Sequence, residues 1–107
     1  MPRQISEVEQ IVMKAVGMLR ERIPVTAAYL FGSYVLEQAT DDSDIDLAVF
    51  TPALENMNIE NKIDLLARVQ LALGVELEIH LFHDKSLGQA RPTNIYGYIL
   101  STGKKVA

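Results

Sequence analysis

The chain has 107 residues, of which 49% are hydrophobic and 22% charged, as in ordinary folded domains. This length has room for one sizeable hydrophobic core, so we expect a single domain over residues 1–107. The absence of cysteine excludes disulfides and thiolate metal sites. It also suits a reduced compartment, and we expect the cytoplasm.

The net charge and the hydropathy pattern exclude two kinds of partner. The formal net charge is −4 and the basic residues are scattered, which argues against direct nucleic-acid binding. The first ten residues lack the apolar core of a signal peptide. No apolar run approaches the roughly 20 residues that span a bilayer, so we expect no membrane partner.

The first predicted elements are an amphipathic helix over residues 6–22 and a strand over residues 25–31. Ser6 and Glu9 match a capping box at the helix start, and Pro24 stops the helix. The apolar residues of the helix recur at helical spacing: Val8, Val12, Ala15, Val16, Leu19 and Ile23.

The middle of the chain is predicted to hold a short helix over residues 33–38 and a polar turn over 39–43. Residues 44–51 are β-branched and apolar except for two aspartates, which predicts a second strand. Pro52 ends this strand, and residues 53–58 are predicted to be a loop.

The second half begins with a helix from Ile59 that ends before Gly74. Residues 75–82 then alternate strictly, with apolar residues on one face and Glu76, Glu78 and His80 on the other. This alternation predicts a strand with one wet or functional face.

The tail over residues 84–107 is predicted to contain a loop around Pro92, a short helical turn near 94–101 and a last strand after Gly103. The whole order of elements predicts an α/β (α+β) fold, with a small mixed β-sheet flanked by helices.

Asp44 and Asp46 are the first candidate functional residues. In a strand they would share a face and lie about 6.6 Å apart along it, from a rise of roughly 3.3 Å per residue. Paired carboxylates suit Mg²⁺, whereas a bare acidic turn running into a strand is the alternative. An EF-hand is excluded, because its sixth and twelfth positions would be Leu47 and Ala53 rather than Gly and Glu.

Gly32 and Ser33 end the first predicted strand and are candidates for phosphate binding. A strand that turns into a helix after Gly-Ser presents backbone N–H groups, the positive helix end and one hydroxyl. No P-loop pattern exists in the chain, and a plain strand-to-helix turn is the alternative.

Glu78 is a candidate third carboxylate, provided that its strand lies beside the strand with the aspartates. It would ligate a metal or accept a proton from an attacking hydroxyl. Glu76 is a rival for the same role, and a solvent-facing glutamate is the alternative. His80 and His83 are interpreted as surface or partly buried histidines rather than ligands.

Together these residues resemble a known signature. Gly32-Ser33, ten intervening residues and Asp44-Ile45-Asp46 are similar to the motif of the nucleotidyltransferase superfamily that includes DNA polymerase beta and kanamycin nucleotidyltransferase. The whole chain resembles the minimal nucleotidyltransferase (MNT) branch, the antitoxin half of HEPN/MNT toxin–antitoxin pairs. The resemblance implies an α-β-α-β-α-β core.

The resemblance also implies an activity: Mg²⁺-dependent transfer of a nucleoside monophosphate from a nucleoside triphosphate, AMP from ATP above all. The implied acceptor is a tyrosine of a partner HEPN toxin. By position, Gly32 and Ser33 match the nucleotide-binding residues, and Asp44 and Asp46 match the catalytic metal ligands. Glu78 stands where the family usually has a third catalytic, metal-binding aspartate.

The chain departs from the family pattern after Gly-Ser. Family members often have G-S-x-A-R-G-E, whereas this chain has Val35-Leu36-Glu37-Gln38 after Tyr34 and so lacks the Arg-Gly pair. This departure favours an alternative function, an antitoxin that neutralises its toxin by binding alone. One subunit of a small-molecule nucleotidyltransferase, completed by a separate chain, is a third option.

Overall fold

The computed structural model describes residues 3–40 and 43–107 of the chain. Asp41 and Asp42, which belong to the predicted polar turn, lie outside the described residues. The elements in chain order are helix α1 (Ile5–Arg20), strand β1 (Ala27–Phe31), strand β2 (Ile45–Phe50), helix α2 (Ile59–Leu73), strand β3 (Leu77–Phe82), helix α3 (Ile95–Thr102) and strand β4 (Lys104–Lys105). Two 3-10 helices cover Pro52–Asn56 and Asp84–Gln89.

The four strands form one mixed sheet in the order β3-β2-β1-β4. Strand β1 is antiparallel to both β2 and β4, whereas β2 and β3 are parallel. Parallel neighbours need a crossover connection, and α2 provides it. The predicted fold class, a small mixed sheet flanked by helices, is therefore confirmed.

Helices cover both faces of the sheet, and the alternation within the strands decides which residues meet them. Helices α1 and α2 pack on the face of β2 that carries Ile45, Leu47 and Val49. Helix α3 packs on the opposite face. The buried residues of this second face are Ala27, Phe31, Ala48, Phe50 and Ile99. No helix in residues 3–40 and 43–107 is long and apolar enough to cross a membrane.

The helix ends confirm one predicted cap and contradict another. Gly74 ends α2 with a left-handed φ of 65°, as predicted. The capping box at Ser6 and Glu9 is wrong, because α1 begins earlier and has Gln4 at its N-cap without a side-chain hydrogen bond. Glu9 instead forms an ion pair with Lys104 of β4.

The predicted short helix over residues 33–38 is a hydrogen-bonded turn. The amides of Val35 and Leu36 both donate to the carbonyl of Gly32, and the chain then reverses at Glu37 with a left-handed φ of 58°. A left-handed residue cannot continue a right-handed helix, which explains why none forms. The predicted loop over 53–58 also differs, since the Thr51 hydroxyl caps a 3-10 helix over Pro52–Asn56.

Candidate active site

The parallel pairing of β2 and β3 brings two predicted carboxylates side by side. Asp46 is directly opposite Glu78 in the register, so both side chains project from the same face of the sheet. Asp46 is half-buried and Glu78 is exposed. The prediction that the strand with Glu78 lies beside the strand with the aspartates is therefore confirmed.

His80 completes a compact group with these two carboxylates. Asp46, Glu78 and His80 each offer a ligand atom, and the three atoms lie within 4.8 Å of one another. His80 Nε2 is 3.5 Å from Asp46 Oδ1 and 3.7 Å from Glu78 Oε1. This nitrogen is buried and lacks a hydrogen-bond partner within the described part of the chain. Two carboxylates and one unsatisfied nitrogen fit a divalent cation.

Aromatic rings hold the imidazole of His80 in place. The ring of Phe82 is parallel to it, at a centroid distance of 6.3 Å and an interplanar angle of 9°. The ring of Phe31 approaches from β1 at 5.3 Å. These contacts restrict the plane of the imidazole ring, and Nε2 faces the carboxylates in this structure.

The surroundings of Asp46 change its acidity. Burial raises the pKa of the Asp46 carboxyl above its usual range, and the negative charge of Glu78 raises it further. The neighbouring imidazole of His80 opposes both effects. The charged form of the Asp46 carboxyl is therefore disfavoured here, and a nearby cation would stabilise it.

Gly32 lies directly against the Asp46 carboxylate. It follows Phe31, which is opposite Asp46 in the register of β1 and β2. Its φ is 85°, and a Cβ atom at this position would be 2.5 Å from Asp46 Oδ2. The site needs glycine here for two reasons, the left-handed backbone and the close approach of the carboxylate.

The turn after Gly32 holds Ser33, which is half-buried. The amide of Gln38 donates to the carbonyl of Ser33, and the amides of Val35 and Leu36 donate to Gly32. The amides of Ser33 and Tyr34 lie outside these hydrogen bonds. Because no helix follows, the positive helix end that the sequence predicted beside Gly-Ser is absent from the described turn, and only backbone amides and one hydroxyl remain for an anion.

Asp44 does not join the group around Asp46. It is exposed and precedes β2, which begins at Ile45, and it is not one of the three residues whose ligand atoms lie together. Asp44 lines a neighbouring groove of about 600 Å³ together with Glu76 and Glu78. Glu76 is also exposed and outside the group, which places Glu78 rather than Glu76 beside Asp46.

His80 is the residue of the site that the sequence interpretation missed. The interpretation as a partly buried histidine is correct for its burial, but its nitrogen faces both carboxylates. A signal was present, because the alternation of residues 75–82 already put His80 on the face of Glu78. A lone histidine gives no indication that its neighbouring strand carries an aspartate.

Carboxylates on adjacent parallel strands, with a Gly-Ser turn packed against one of them, define the class of protein as a nucleotidyltransferase. The sequence profile of the family described as "Polymerase beta, Nucleotidyltransferase" matches residues 14–106. The chain belongs to this family, which confirms the resemblance noted from its motifs.

Similar proteins support the same class. "Putative protein adenylyltransferase MJ1379" of Methanocaldococcus jannaschii is 26% identical over 77 residues, which cover 72% of this chain and 77% of that protein. A chain in a crystal structure of a toxin–antitoxin with AMP-PNP is similar with a TM-score of 0.63 and 25% identity, over 92% of this chain and 72% of that chain.

A complex of tri-AMPylated Shewanella oneidensis HEPN toxin with MNT antitoxin also contains a similar chain. The TM-score is 0.61 at 22% identity, over 94% of this chain and 71% of that chain. At this identity the likeness shows the fold alone.

Proposed function

We propose that this chain transfers AMP from ATP to a hydroxyl side chain of a partner protein. The acceptor that fits best is a tyrosine of a HEPN-type toxin, so that the chain acts as the antitoxin. The proposal rests on one observation: Asp46 is directly opposite Glu78 on the neighbouring strand, and Gly32 lies against the Asp46 carboxylate. The likeness to a named protein adenylyltransferase and to a toxin–antitoxin chain with AMP-PNP supports it.

The proposed reaction is a substitution at the α-phosphorus of ATP. The acceptor oxygen forms a bond to this phosphorus, the bond to the oxygen that bridges to the β-phosphate breaks, and pyrophosphate leaves. Glu78 is exposed at the site and accepts the proton of the acceptor hydroxyl. His80, held by Phe31 and Phe82, orients the Asp46 carboxylate.

The donor atoms of the site suit Mg²⁺. Asp46 and Glu78 would hold the ion. Asp44, one residue before the strand of Asp46, is proposed as a further carboxylate. When bound, Mg²⁺ neutralises the charge of the phosphates and stabilises the charge that develops on the leaving pyrophosphate. The close approach of the Asp46 and Glu78 carboxylates supports a site that is completed by a cation.

The turn at Gly32 and Ser33 is proposed to hold the phosphates of the nucleotide. Gly32 lets the backbone approach closely, and the amides of Ser33 and Tyr34 lie outside the hydrogen bonds of the turn. These amides and the Ser33 hydroxyl would donate to phosphate oxygens. The likeness to a toxin–antitoxin chain with AMP-PNP supports ATP as the donor.

The acceptor is proposed to come from another chain. All described elements contribute to one sheet and its covering helices, and none forms a second lobe around a small acceptor. A protein partner would supply the acceptor residue on its own surface. A cysteine-free chain suits the reducing cytoplasm, where we propose that the pair acts.

The test is a transfer assay with ATP labelled at the α-phosphate. The chain and its co-expressed partner are incubated with Mg²⁺, beside an Asp44→Asn/Asp46→Asn variant and an Asp64→Asn control, whose aspartate only pairs with Arg68 on the surface. We expect label on the partner with wild type and with the control, and none with the double variant. Label on small alcohols or antibiotics instead of the partner would contradict a protein acceptor.

A binding-only antitoxin is the second candidate, favoured by the turn that lacks Arg-Gly and holds a left-handed Glu37. It would replace the first proposal if wild type adds no label to the partner while the double variant still silences it.

Glu78 and Glu76 provide a finer test of the third carboxylate. Glu78→Gln is expected to lose transfer while it keeps the fold and partner binding, and Glu76→Gln is expected to retain transfer. Both are exposed glutamates of one segment, so each controls for the other. Unimpaired transfer by Glu78→Gln would remove Glu78 from the mechanism.

A further inference from the structure

Strand β3 is one edge of the sheet, and β2 is its neighbour among the described strands. The amides of Ile45 and Thr51 donate to the carbonyls of Glu76 and Phe82, so the even-numbered residues of this segment bond to β2. Backbone groups of successive strand residues point to opposite sides. The odd-numbered residues of β3 therefore direct their N–H and C=O groups away from the sheet.

Gln70 confirms this direction at the start of the strand. The amide of Leu77 donates to the side-chain oxygen of Gln70 on α2, at 3.0 Å. Ile79 and Leu81 direct their backbone groups to the same side, and the Gln70 side chain does not bond to them. Within residues 3–40 and 43–107 no backbone hydrogen bond reaches these outward groups, so they form an unpaired strand edge, the feature to which an extended peptide adds in β-strand addition.

A groove of about 600 Å³ runs between this edge and α2. Its apolar lining comes from Leu66, Leu77 and Ile79. Glu78 also lines it, so the groove leads directly to the candidate active site. Side chains from both faces of β3 line the groove, as expected for a groove along the edge of a strand.

Helix α2 extends the apolar lining with exposed residues. Ile59 and Ile63 are 73% and 61% exposed. Ile59 is four residues before Ile63, and Ile63 is three residues before Leu66, so the three form one apolar stripe along α2. Exposed isoleucines beside an open strand edge indicate a surface that a partner covers.

The charges around the groove decide which partner fits. Its charged lining residues are Asp44, Glu76 and Glu78, all acidic. A second copy paired edge to edge would place these acids opposite their own counterparts, and nucleic acid would bring further negative charge. A segment with lysine or arginine complements the groove.

We propose that the acceptor segment of the partner protein binds as an added strand along β3. This inference rests on the proposed transfer to a protein acceptor and specifies its substrate as an extended basic segment with a hydroxyl residue. Neighbouring strands lie about 4.8 Å apart, so a residue opposite Glu78 on the same face places its side chain beside the Asp46–Glu78 pair. The residues before and after it point toward Ile79 and Leu66.

Amide hydrogen exchange tests the docking. Amide exchange of the isotope-labelled protein is measured with the co-expressed partner and with two synthetic peptides. One peptide has the sequence lysine-valine-tyrosine-valine-lysine, and in the other glutamate replaces both lysines. We expect the partner and the basic peptide to slow exchange at Ile79 and Leu81 by about tenfold or more, because these amides gain hydrogen bonds. The acidic peptide should not slow it. Unchanged exchange at both amides in the partner complex would overturn the inference.

Charge reversal at the groove gives an independent measurement. Glu76→Lys is expected to raise the KM for the partner about tenfold while kcat at saturating partner stays close to wild type. Glu21→Lys, an exposed glutamate at the end of α1 that does not line the groove, is the matched control. An unchanged KM with Glu76→Lys would contradict docking at this groove.

The two tests separate the docking from the transfer. If the partner is labelled but the amides of β3 exchange at the same rate as in the free protein, the transfer is supported and the docking along β3 is contradicted. Protection of Ile79 and Leu81 without any label would keep the docking surface and remove the transfer.

Discussion

The Asp46–Glu78 pair and the turn over residues 33–38 face the same candidate site, but they are held in different ways. The pair is fixed by regular strand pairing, since Asp46 and Glu78 are opposite residues of β2 and β3. The turn is fixed by three backbone hydrogen bonds and includes a left-handed Glu37. Substitutions in the pair should therefore act through side-chain chemistry. Substitutions in the turn should act through the backbone conformations that its residues permit.

Replacing a carboxylate should have the largest effect. Asp46→Asn keeps the shape of the side chain but removes its charge, so we expect transfer to fall about 1,000-fold or more, as for the loss of a metal ligand. Asp64→Asn removes an exposed carboxylate of α2 and should leave transfer unchanged. The measurement is the initial rate with labelled ATP, and a loss below tenfold would contradict a central role for Asp46.

A change at the junction of the two regions should come next. Gly32→Ala adds a Cβ that would be 2.5 Å from Asp46 Oδ2, on a backbone with a φ of 85°. We expect unfolding to be easier by about 2 kcal/mol or more, with loss of transfer.

Gly17→Ala is the matched control for this change, since its Cβ would have no neighbour within 4 Å. Within α1 it should stabilise the fold by about 0.5–1 kcal/mol. Denaturant unfolding measures both variants. If the two alanines have equal effects, the contact between Gly32 and Asp46 does not constrain the site.

A change of backbone preference in the turn should have a smaller, opposite effect. Glu37→Gly removes the cost of a left-handed non-glycine residue and should stabilise the fold by about 1 kcal/mol. Glu37→Ala removes the same charge but keeps the unfavourable conformation, so it should give no such gain. A similar gain from both variants would assign the effect to charge rather than to the backbone.

The pH dependence of stability should show the smallest effect. Burial raises the pKa of Asp46 in the folded protein, so the folded state binds this proton more readily than the unfolded state. The resulting stabilisation is complete below the unfolded pKa and is lost as pH rises through the folded pKa. With chelator present, the Tm of wild type should therefore fall relative to that of Asp46→Asn as pH rises through this range. A gap in Tm that is independent of pH would contradict the raised pKa.

The predictable part of the molecule is the part that follows a period. Alternation in two strands was enough to place Asp46 and Glu78 on faces that could meet, and Gly74 marked the end of α2. Asp44 lies one residue before β2, which begins at Ile45, and outside the group formed by Asp46, Glu78 and His80, so its role as a ligand stays a prediction.

The remaining errors come from contacts that no local pattern encodes. Valine and leucine are not typical turn residues. Even so, the amides of Val35 and Leu36 donate to the carbonyl of Gly32 and close a turn there. Glu9 matched a capping box but pairs with Lys104, a residue of the last strand. The role of His80 depends on an aspartate of another strand, and only the assembled sheet reveals it.

Strand β4 has a consequence for how this sheet can grow. It consists of two exposed lysines, Lys104 and Lys105, at the edge opposite to β3. A short edge that carries positive charge is a poor template for pairing with a further chain. Propagation of a cross-β fibre needs two receptive edges on every molecule, and among the described strands only β3 offers one. Strand addition to this protein should therefore stop after a single step and yield a closed complex of defined stoichiometry.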